Sequence, residues 1–423
     1  MRLFVVSATG DGAWFVWKLL HDGHDVTWTL GNMKYSEVLA GLIPPPVASV
    51  SDPDSYDLIV FDMSGHGEAA DLARVHTPVI GASSFCDQLE QDRIFGIEFM
   101  EKCGIHVPPW EQFTDISDAI RFLRKTKKRY VFKPLGGRDD CSTTYVAKSA
   151  EDMEKYLEIL FKRVKVKEFV LQEFIAGTEV SSEGYFNGTE FFALNHTLEE
   201  KKFMAGGVGP NTGCSGNLVW MPTRSDPVFE RGLLRAGHAL QEAGFRGPID
   251  LNTIVTEGEI YGLEWTPRFG YEGTCNLARL IPGDFASFLL AIATGESPTL
   301  GEPRAKFSAT VRLSVPPYPR MANPAKDAGV PVVGIDVDNP DCWYLSDIRI
   351  KEGTEGEVET IGTDGLIGAP ISVSETICGA FDECQAAIDK LLIPDLMYRN
   401  DVKKCVEKRF ETLSRQGWLR PIG

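Results

Sequence analysis

A chain of 423 residues, 43% of them hydrophobic, carries enough apolar material for two or three buried cores. Its 60 acidic residues against 43 basic ones give a net charge of −17, a field that repels nucleic acid and anionic lipid and points to small-molecule chemistry. No run approaches the apolar length of a membrane span, and the N-terminal MRLFVVSATGDG is too short in its apolar part for a signal peptide. Nine scattered cysteines without a C-x-x-C pair fit a reduced, cytoplasmic protein better than a disulfide framework or a zinc site. The sequons at Asn187 and Asn195 then carry no glycosylation.

In chain order, LFVVS (3–7), HDVTWTL (24–30), YDLIVFDM (56–63) and PVIGAS (78–83) read as buried strands separated by helical or loop segments. That alternation predicts a parallel sheet with helices on its faces. The G-x-G after the first strand lacks a third glycine, so it is a weak dinucleotide signal and reads as an ordinary βα turn. Residues 84–103 have apolar side chains at helical spacing up to Gly104, predicting one helix. SDAIRFLRKTKK predicts a second helix, with Ser117 as its N-cap. YVFKP (130–134) is a strand ending in a lysine before the turn GGRDDCSTT. An acidic helix (150–162) follows, and then long antiparallel strands through 169–195. IDLNTIVTEGEIYGLEWTPRFG predicts a hairpin. TGESPTLGEPR (294–304) marks a boundary, and the remainder reads as a smaller mixed domain with DECQAAIDKLL as its final helix. The expected fold class is α/β and α+β, with a parallel-sheet domain at 1–85, a central unit at 86–298 and a mixed domain at 299–423.

Four features carry chemistry. Arg93, Lys133 and Arg138 are cations near a strand end and a glycine turn, suited to polyphosphate oxygens; taken alone, each is a solvated surface charge. VLQEFIAGTEVS (170–181) offers backbone groups to a flat base and Glu179 to ribose hydroxyls, or is simply an edge strand with a turn. Glu264, between Leu263 and Trp265 in a strand, either faces a polar cleft or costs free energy. Asn252 lies on the neighbouring hairpin strand, and oxygen ligands so placed suit Mg²⁺. Arg268 adds a fork for phosphate or carboxylate. The fourth is GGVGPNTGCSG (206–216), too glycine-rich for a helix or a well-packed strand, and either a linker or a loop that brings backbone N–H groups to a ligand.

With GASSFCDQLEQDRIFGIEFMEKCGIHVPPWEQF, YVFKP, VLQEFIAGTEVS, EEKKFMAGGVGPNTGCSG and LEWTPRFG in that order, the chain resembles the ATP-grasp family. Within it, the chain is specifically similar to glycinamide ribonucleotide synthetase (phosphoribosylamine–glycine ligase), over about residues 78–300. The resemblance implies an ATP-grasp domain between a Rossmann-like pre-ATP-grasp domain and a small C-terminal domain. It implies an ATP-dependent carboxylate–amine ligase acting through an acylphosphate, with ATP and Mg²⁺ (or Mn²⁺) as cofactors. It places Arg93, Lys133 and Arg138 on ATP phosphates, Gln172, Glu173, Phe174 and Ile175 at the adenine hinge, and Glu179 on the ribose. Glu264 becomes the principal metal ligand, aided by Asn252 and Thr266. Lys133 and Arg268 become catalytic, with Arg268 also on a substrate phosphate. Lys201, Pro210, Asn211, Thr212 and Gly213 join the acceptor pocket.

The ATP machinery is largely kept, and the groups that would choose the amine are changed. The family's first βα turn carries Arg-Glu-His where this chain has Asp11-Gly12-Ala13, and the second phosphate-loop lysine is missing, with Arg138 as its stand-in. Thr266 replaces an Asn, Tyr271 an Asp, and Glu199-Glu200-Lys201-Lys202 an Asp-His-Lys-Arg run. The expected partners are therefore an amino acid and a phosphorylated or nucleoside-like amine, with the protein a monomer or homodimer. The rival readings are a ligase diverged to another amine and a non-catalytic nucleotide-binding protein on the same fold.

Overall fold

The structure is a computed structural model, and it describes residues 1–50, 52–135, 144–163 and 168–420. Arg138 and most of the GGRDDCSTT turn lie outside the described residues.

The N-terminal apolar runs form β1 (Arg2–Ser7), β2 (Asp25–Leu30), β3 (Leu58–Phe61) and β4 (Val79–Ile80), a parallel sheet in the order β2-β1-β3-β4. Near-continuous apolar strands such as LIVF suit a sheet buried on both faces, and β3 is buried at every residue. Helix α1 (Ala13–His21) follows the first turn, and α2 (Gly67–Ala73) precedes β4.

The single helix expected over 84–103 is two, α3 (Ser84–Gln91) and α4 (Arg93–Lys102). Asp92 makes the break. Its backbone is extended, and its carboxylate accepts the N–H groups of Ile94 and Phe95, each at 3.1 Å. A local capping bond has outcompeted the continuous apolar pattern. The same chemistry shifts the next helix start. After β5 (Trp110–Phe113), α5 (Ile116–Thr126) is capped by Asp115, whose carboxylate accepts from Ser117 N at 2.7 Å, rather than by Ser117. An anionic cap also complements the positive end of the helix dipole.

Strands β6 (Tyr130–Pro134), β7 (Tyr145–Val146) and β8 (Phe169–Glu173) join β5 in an antiparallel sheet ordered β5-β8-β6-β7. Helix α6 (Ala150–Arg163) and α5 cover it, with Leu123, Met153 and Leu157 packed on Phe132 and Phe169.

The remaining architecture centres on a ten-stranded sheet among the described residues. Its first members are β9 (Thr178–Phe186) and β10 (Phe191–Glu199). A separate two-stranded hairpin, β11 (Lys202–Met204) and β12 (Val208–Asn211), then projects from it before β13 (Gly216–Trp220) returns to the sheet. After the short helices α7 (Pro227–Arg231) and α8 (Gly237–Glu242) come β14 (Gly247–Val255) and β15 (Ile260–Thr266), the expected hairpin. Helices α9 (Tyr271–Leu280) and α10 (Phe285–Thr294) lead to β16 (Phe307–Val311), and the strand Leu366–Ser374 pairs beside it. The order β15-β14-β9-β10-β13-β16 therefore mixes residues from 178 to 311 in one hydrogen-bonded layer.

Part of GGVGPNTGCSG is thus a strand, though an exposed one: Val208–Asn211 pairs with β11 outside the main sheet. Gly206, Gly207, Gly209 and Gly213 all have positive φ, between 69° and 84°. Non-glycine residues rarely adopt that backbone, so the run is glycine-rich to turn a hairpin rather than to link domains. DECQAAIDKLL is part of a helix that starts at Ile377, but it is not the last one. Val402–Arg415 follows, with Val402, Val406 and Leu413 buried on one side of an otherwise charged helix. No single helix among the described residues is long and apolar enough to cross a membrane.

Candidate active site

Side chains alternate along a strand, so register decides which residues share a face. Across β10, β9, β14 and β15 one row runs Thr197, Ser181, Asn252, Glu264. Two residues along, the next row runs Asn195, Glu183, Asp250, Thr266. A cavity of about 410 Å³ lies over this polar face. It is closed by Glu90, Arg93 and Met100 from α3 and α4, by Tyr271 and Glu272 at the start of α9, and by Thr212, Gly213, Cys214 and Arg312.

Its outer end is cationic around one carboxylate. Glu264, with 47% of its side chain exposed, has Arg93 Nη1 at 4.0 Å from its Oε2. Lys133 Nζ donates to the neighbouring Leu263 carbonyl at 3.4 Å. Lys201 Nζ stands 2.6 Å from Glu179, 3.9 Å from Glu199 and 3.5 Å from the Asn252 amide oxygen. Burial pushes the Glu264 carboxyl up, but Lys133, Lys201, Arg93 and Arg268 together hold it below its ordinary range. Burial, with Arg93 and Lys201 adding to it, brings Lys133 down to about 8 against the pull of Glu264 and Glu179.

The inner end is different. Arg268 Nε pairs with Glu90 at 3.0 Å, and Arg312 pairs with Glu272 at 2.6 Å while donating to the Thr212 carbonyl at 2.7 Å. Glu183 accepts the Asn195 amide at 3.1 Å, and Asp250 accepts the Ser181 hydroxyl and the Asn252 amide, the latter at 3.1 Å. Burial raises Glu183 to about 8 and Asp250 to about 7.

The hairpin that borders the cavity is anchored from far along the chain. Arg399 and Arg409 each approach Glu200 to 2.7 Å, Arg399 also donates to the Lys202 carbonyl at 3.0 Å, and Asp401 accepts Gly206 N–H at 2.7 Å.

Of the residues singled out in the sequence, Arg93, Lys201, Thr212, Gly213, Asn252, Glu264, Thr266 and Arg268 line the one cavity. Lys133 and Glu179 touch it through Leu263 and Lys201. Pro210 and Asn211 are exposed on the hairpin. Gln172–Ile175 lie apart, at and just beyond the C-terminal end of β8, an inner strand of the four-stranded sheet. There Glu173 N donates to the Pro109 carbonyl and Phe174 N to the Arg129 carbonyl, and the buried Gln172 Nε2 has no partner among the described residues. Glu183, Asp250, Glu272, Glu90 and Arg312 are not singled out by the sequence, and Glu199 only as part of a departure from the family run. Asp250 carries the same signal that marked Glu264, an acid between apolar neighbours in a strand, whereas Glu183 sits between Ser182 and Gly184 in the more polar TEVSSEGYF. The ion pairs of Glu90 and Arg312 span 178 and 40 residues and have no local signature.

Oxygen ligands for a hard cation are present on paired strands, the Glu264 carboxylate opposite the Asn252 amide. Among the described residues no three His, Cys, Asp or Glu side chains are grouped to hold a metal. One carboxylate and one amide suit Mg²⁺, which keeps waters and takes other ligands from phosphates.

The cleft over the polar face of the large sheet, with cations around a strand carboxylate, sits in a chain that has the ATP-grasp fold. The chain resembles phosphoribosylamine–glycine ligase: residues 91–271 match the phosphoribosylglycinamide synthetase ATP-grasp (A) domain. The phosphoribosylamine–glycine ligase of Leptospira interrogans is 25% identical over 391 residues, covering 85% of this chain and 88% of that protein. The crystal structure of phosphoribosylamine–glycine ligase from Thermotoga maritima superposes with a TM-score of 0.70 at 21% identity, over 95% of this chain and 100% of that one. The biotin carboxylase domain of Hydrogenobacter thermophilus 2-oxoglutarate carboxylase, solved with MgADP and bicarbonate, gives 0.66 at 14% identity over 99% of both chains.

Proposed function

We propose that the Glu264 end of the cleft activates the carboxylate of an amino acid, glycine by analogy with the named relatives, and that an amine enters from the Glu183 end. The observation that carries this reading is the convergence of Arg93, Lys133 and Lys201 on the single carboxylate Glu264 at the open end of the cavity. Arg93 and Lys133 meet the nucleotide's phosphates, where charge-assisted bonds are the strong ones. Glu264 and Asn252 would hold Mg²⁺, which supplies charge neutralisation at the transferring phosphoryl group. Glu179 takes the ribose, and Gln172–Ile175 the base. Lys201, held by Glu179, and Arg268, held by Glu90, position the carboxylate and its phosphorylated form. Thr212 and Gly213 bound the acceptor, with Pro210 and Asn211 closing over it.

An oxygen of the carboxylate takes the γ-phosphoryl group and ADP leaves. The amine lone pair then attacks the acyl carbon, the C–N bond forms, and the C–O bond to phosphate breaks. The attacking neutral amine gives up one proton to solvent, keeping the other as the amide N–H, and phosphate departs. No protein nucleophile takes part, so catalysis is positioning and charge stabilisation in a closed site. The unpaired thiols of the eight described cysteines fit a cytoplasmic setting.

The test is ¹⁸O transfer. With glycine labelled in its carboxylate, an active amine should yield phosphate carrying one label per ADP released. ADP formation with unlabelled phosphate would end the acylphosphate reading.

A further inference from the structure

The ligase chemistry leaves Glu183, Asp250 and Thr197 without a task. Glu183 and Asp250 are direct register partners on β9 and β14, and they are 6% and 9% exposed. Like charges opposite one another in a sheet are destabilising, and a buried carboxylate without a cation is costly. Neither makes an ion pair within 4 Å among the described residues; their direct partners are the amides and hydroxyl already described, with Lys201 and Arg268 acting on Asp250 from further off. One further group points the same way: the Asn195 amide oxygen, beside Glu183 and buried, has no partner among the described residues. Thr197, 7% exposed, lines the same cavity.

These oxygens together call for a donor with several N–H groups and a positive charge. The nearby cations are already committed, Arg268 to Glu90, Arg312 to Glu272 and Lys201 to Glu179. A second divalent ion fits poorly, because no three suitable side chains are grouped among the described residues. An ammonium fits, with three donors and one charge. We propose that Glu183, Asp250 and Thr197 form a subsite for a protonated amino group of the acceptor, so that the acceptor is a diamine rather than a phosphorylated amine. The two polar rows are two residues apart along the strands, roughly 7 Å. A diamine of about that length places its second nitrogen beside the Glu264 row, where the acyl group is activated. This rests on the ligase reading for its chemistry but not for its binding.

The full chain is assayed with 1,4-diaminobutane and with O-phosphoethanolamine, by thermal midpoint and by ADP release in the presence of glycine. The diamine should raise the midpoint and support ADP release. Glu183→Gln and Asp250→Asn, nearly isosteric, should each remove the midpoint shift and raise the diamine KM at least tenfold with the ATP KM unchanged; Thr197→Val should raise it less. A lower KM for O-phosphoethanolamine, or a diamine KM untouched by both carboxyl variants, overturns the subsite. A diamine midpoint shift that the variants abolish, without ADP release from any acid, supports the subsite and ends the ligase reading instead.

Discussion

The two ends of the cleft are built from the same four strands, yet they treat a carboxylate in opposite ways. At the Glu264 end, three cations surround one partly exposed acid and keep it ionised. At the Glu183 end, two buried acids face each other with only amides and a hydroxyl as direct partners, and burial raises both. A row shift of two residues separates a carboxylate ringed by cations from two carboxyl groups that make no ion pair. Under the proposed function, sheet register rather than any local motif would let one polar face serve two substrates of opposite charge.

The comparison can be broken most severely at Glu264. Glu264→Gln should lower amine-dependent ADP release by about 10³-fold with the thermal midpoint little changed, since the side chain is partly exposed and isosteric. Retained turnover would remove the outer end from the chemistry. Glu272→Gln should act on stability instead. It leaves Arg312, 11% exposed, without its buried partner, at a cost of about 3 kcal/mol or more in urea unfolding. Lys133→Met should weaken ATP binding by about 2 kcal/mol in calorimetry through loss of a charge-assisted phosphate contact, while leaving diamine binding intact.

A pH titration sharpens the inner end. Glu183 has a folded value of about 8 against an ordinary 4.5, with Asp250 and Glu199 facing it and Asn195 bonded to it. The raised value means its contribution to stability is complete below the ordinary value and is lost as pH climbs towards 8. Unfolding free energy should therefore fall over that window, on the order of 2 kcal/mol, and Glu183→Gln should flatten the fall. The smallest effect is at Asp92. Removing its cap with Asp92→Ala should cost about 1 kcal/mol and loosen Arg93, the first residue of α4, detectable as a modest rise in ATP KM.

Much of this was legible in the residues. The parallel sheet, the YVFKP strand and the β14–β15 hairpin followed from apolar runs and turn chemistry, and Glu264 stood out because an acid between Leu263 and Trp265 demands a reason. Helix ends were misread where an aspartate competed with periodicity, at Asp92 and Asp115, because capping is a bond to individual N–H groups that an apolar pattern does not encode. Glu183 and Asp250 escaped notice although each is an acid in a buried strand. Their importance lies in facing one another across β9 and β14, and pairing between residues so far apart in the chain is set by tertiary register. The partners of Arg268 and Glu200 were invisible for the same reason, at sequence separations no local rule reaches.

The anchoring of the β11–β12 hairpin limits how this protein can be taken apart. The stretch that matches the family's ATP-grasp domain stops at residue 271, yet Arg312, Arg399 and Arg409, which fasten the hairpin and its base, come later, as does β16, the neighbour of β13. A transplant of the matching segment into another scaffold would carry the hairpin's glycines and none of its tethers, along with an unpaired strand edge prone to self-association. The segment most readily recognised by sequence is thus not a portable module; the chain would have to be recombined as a whole.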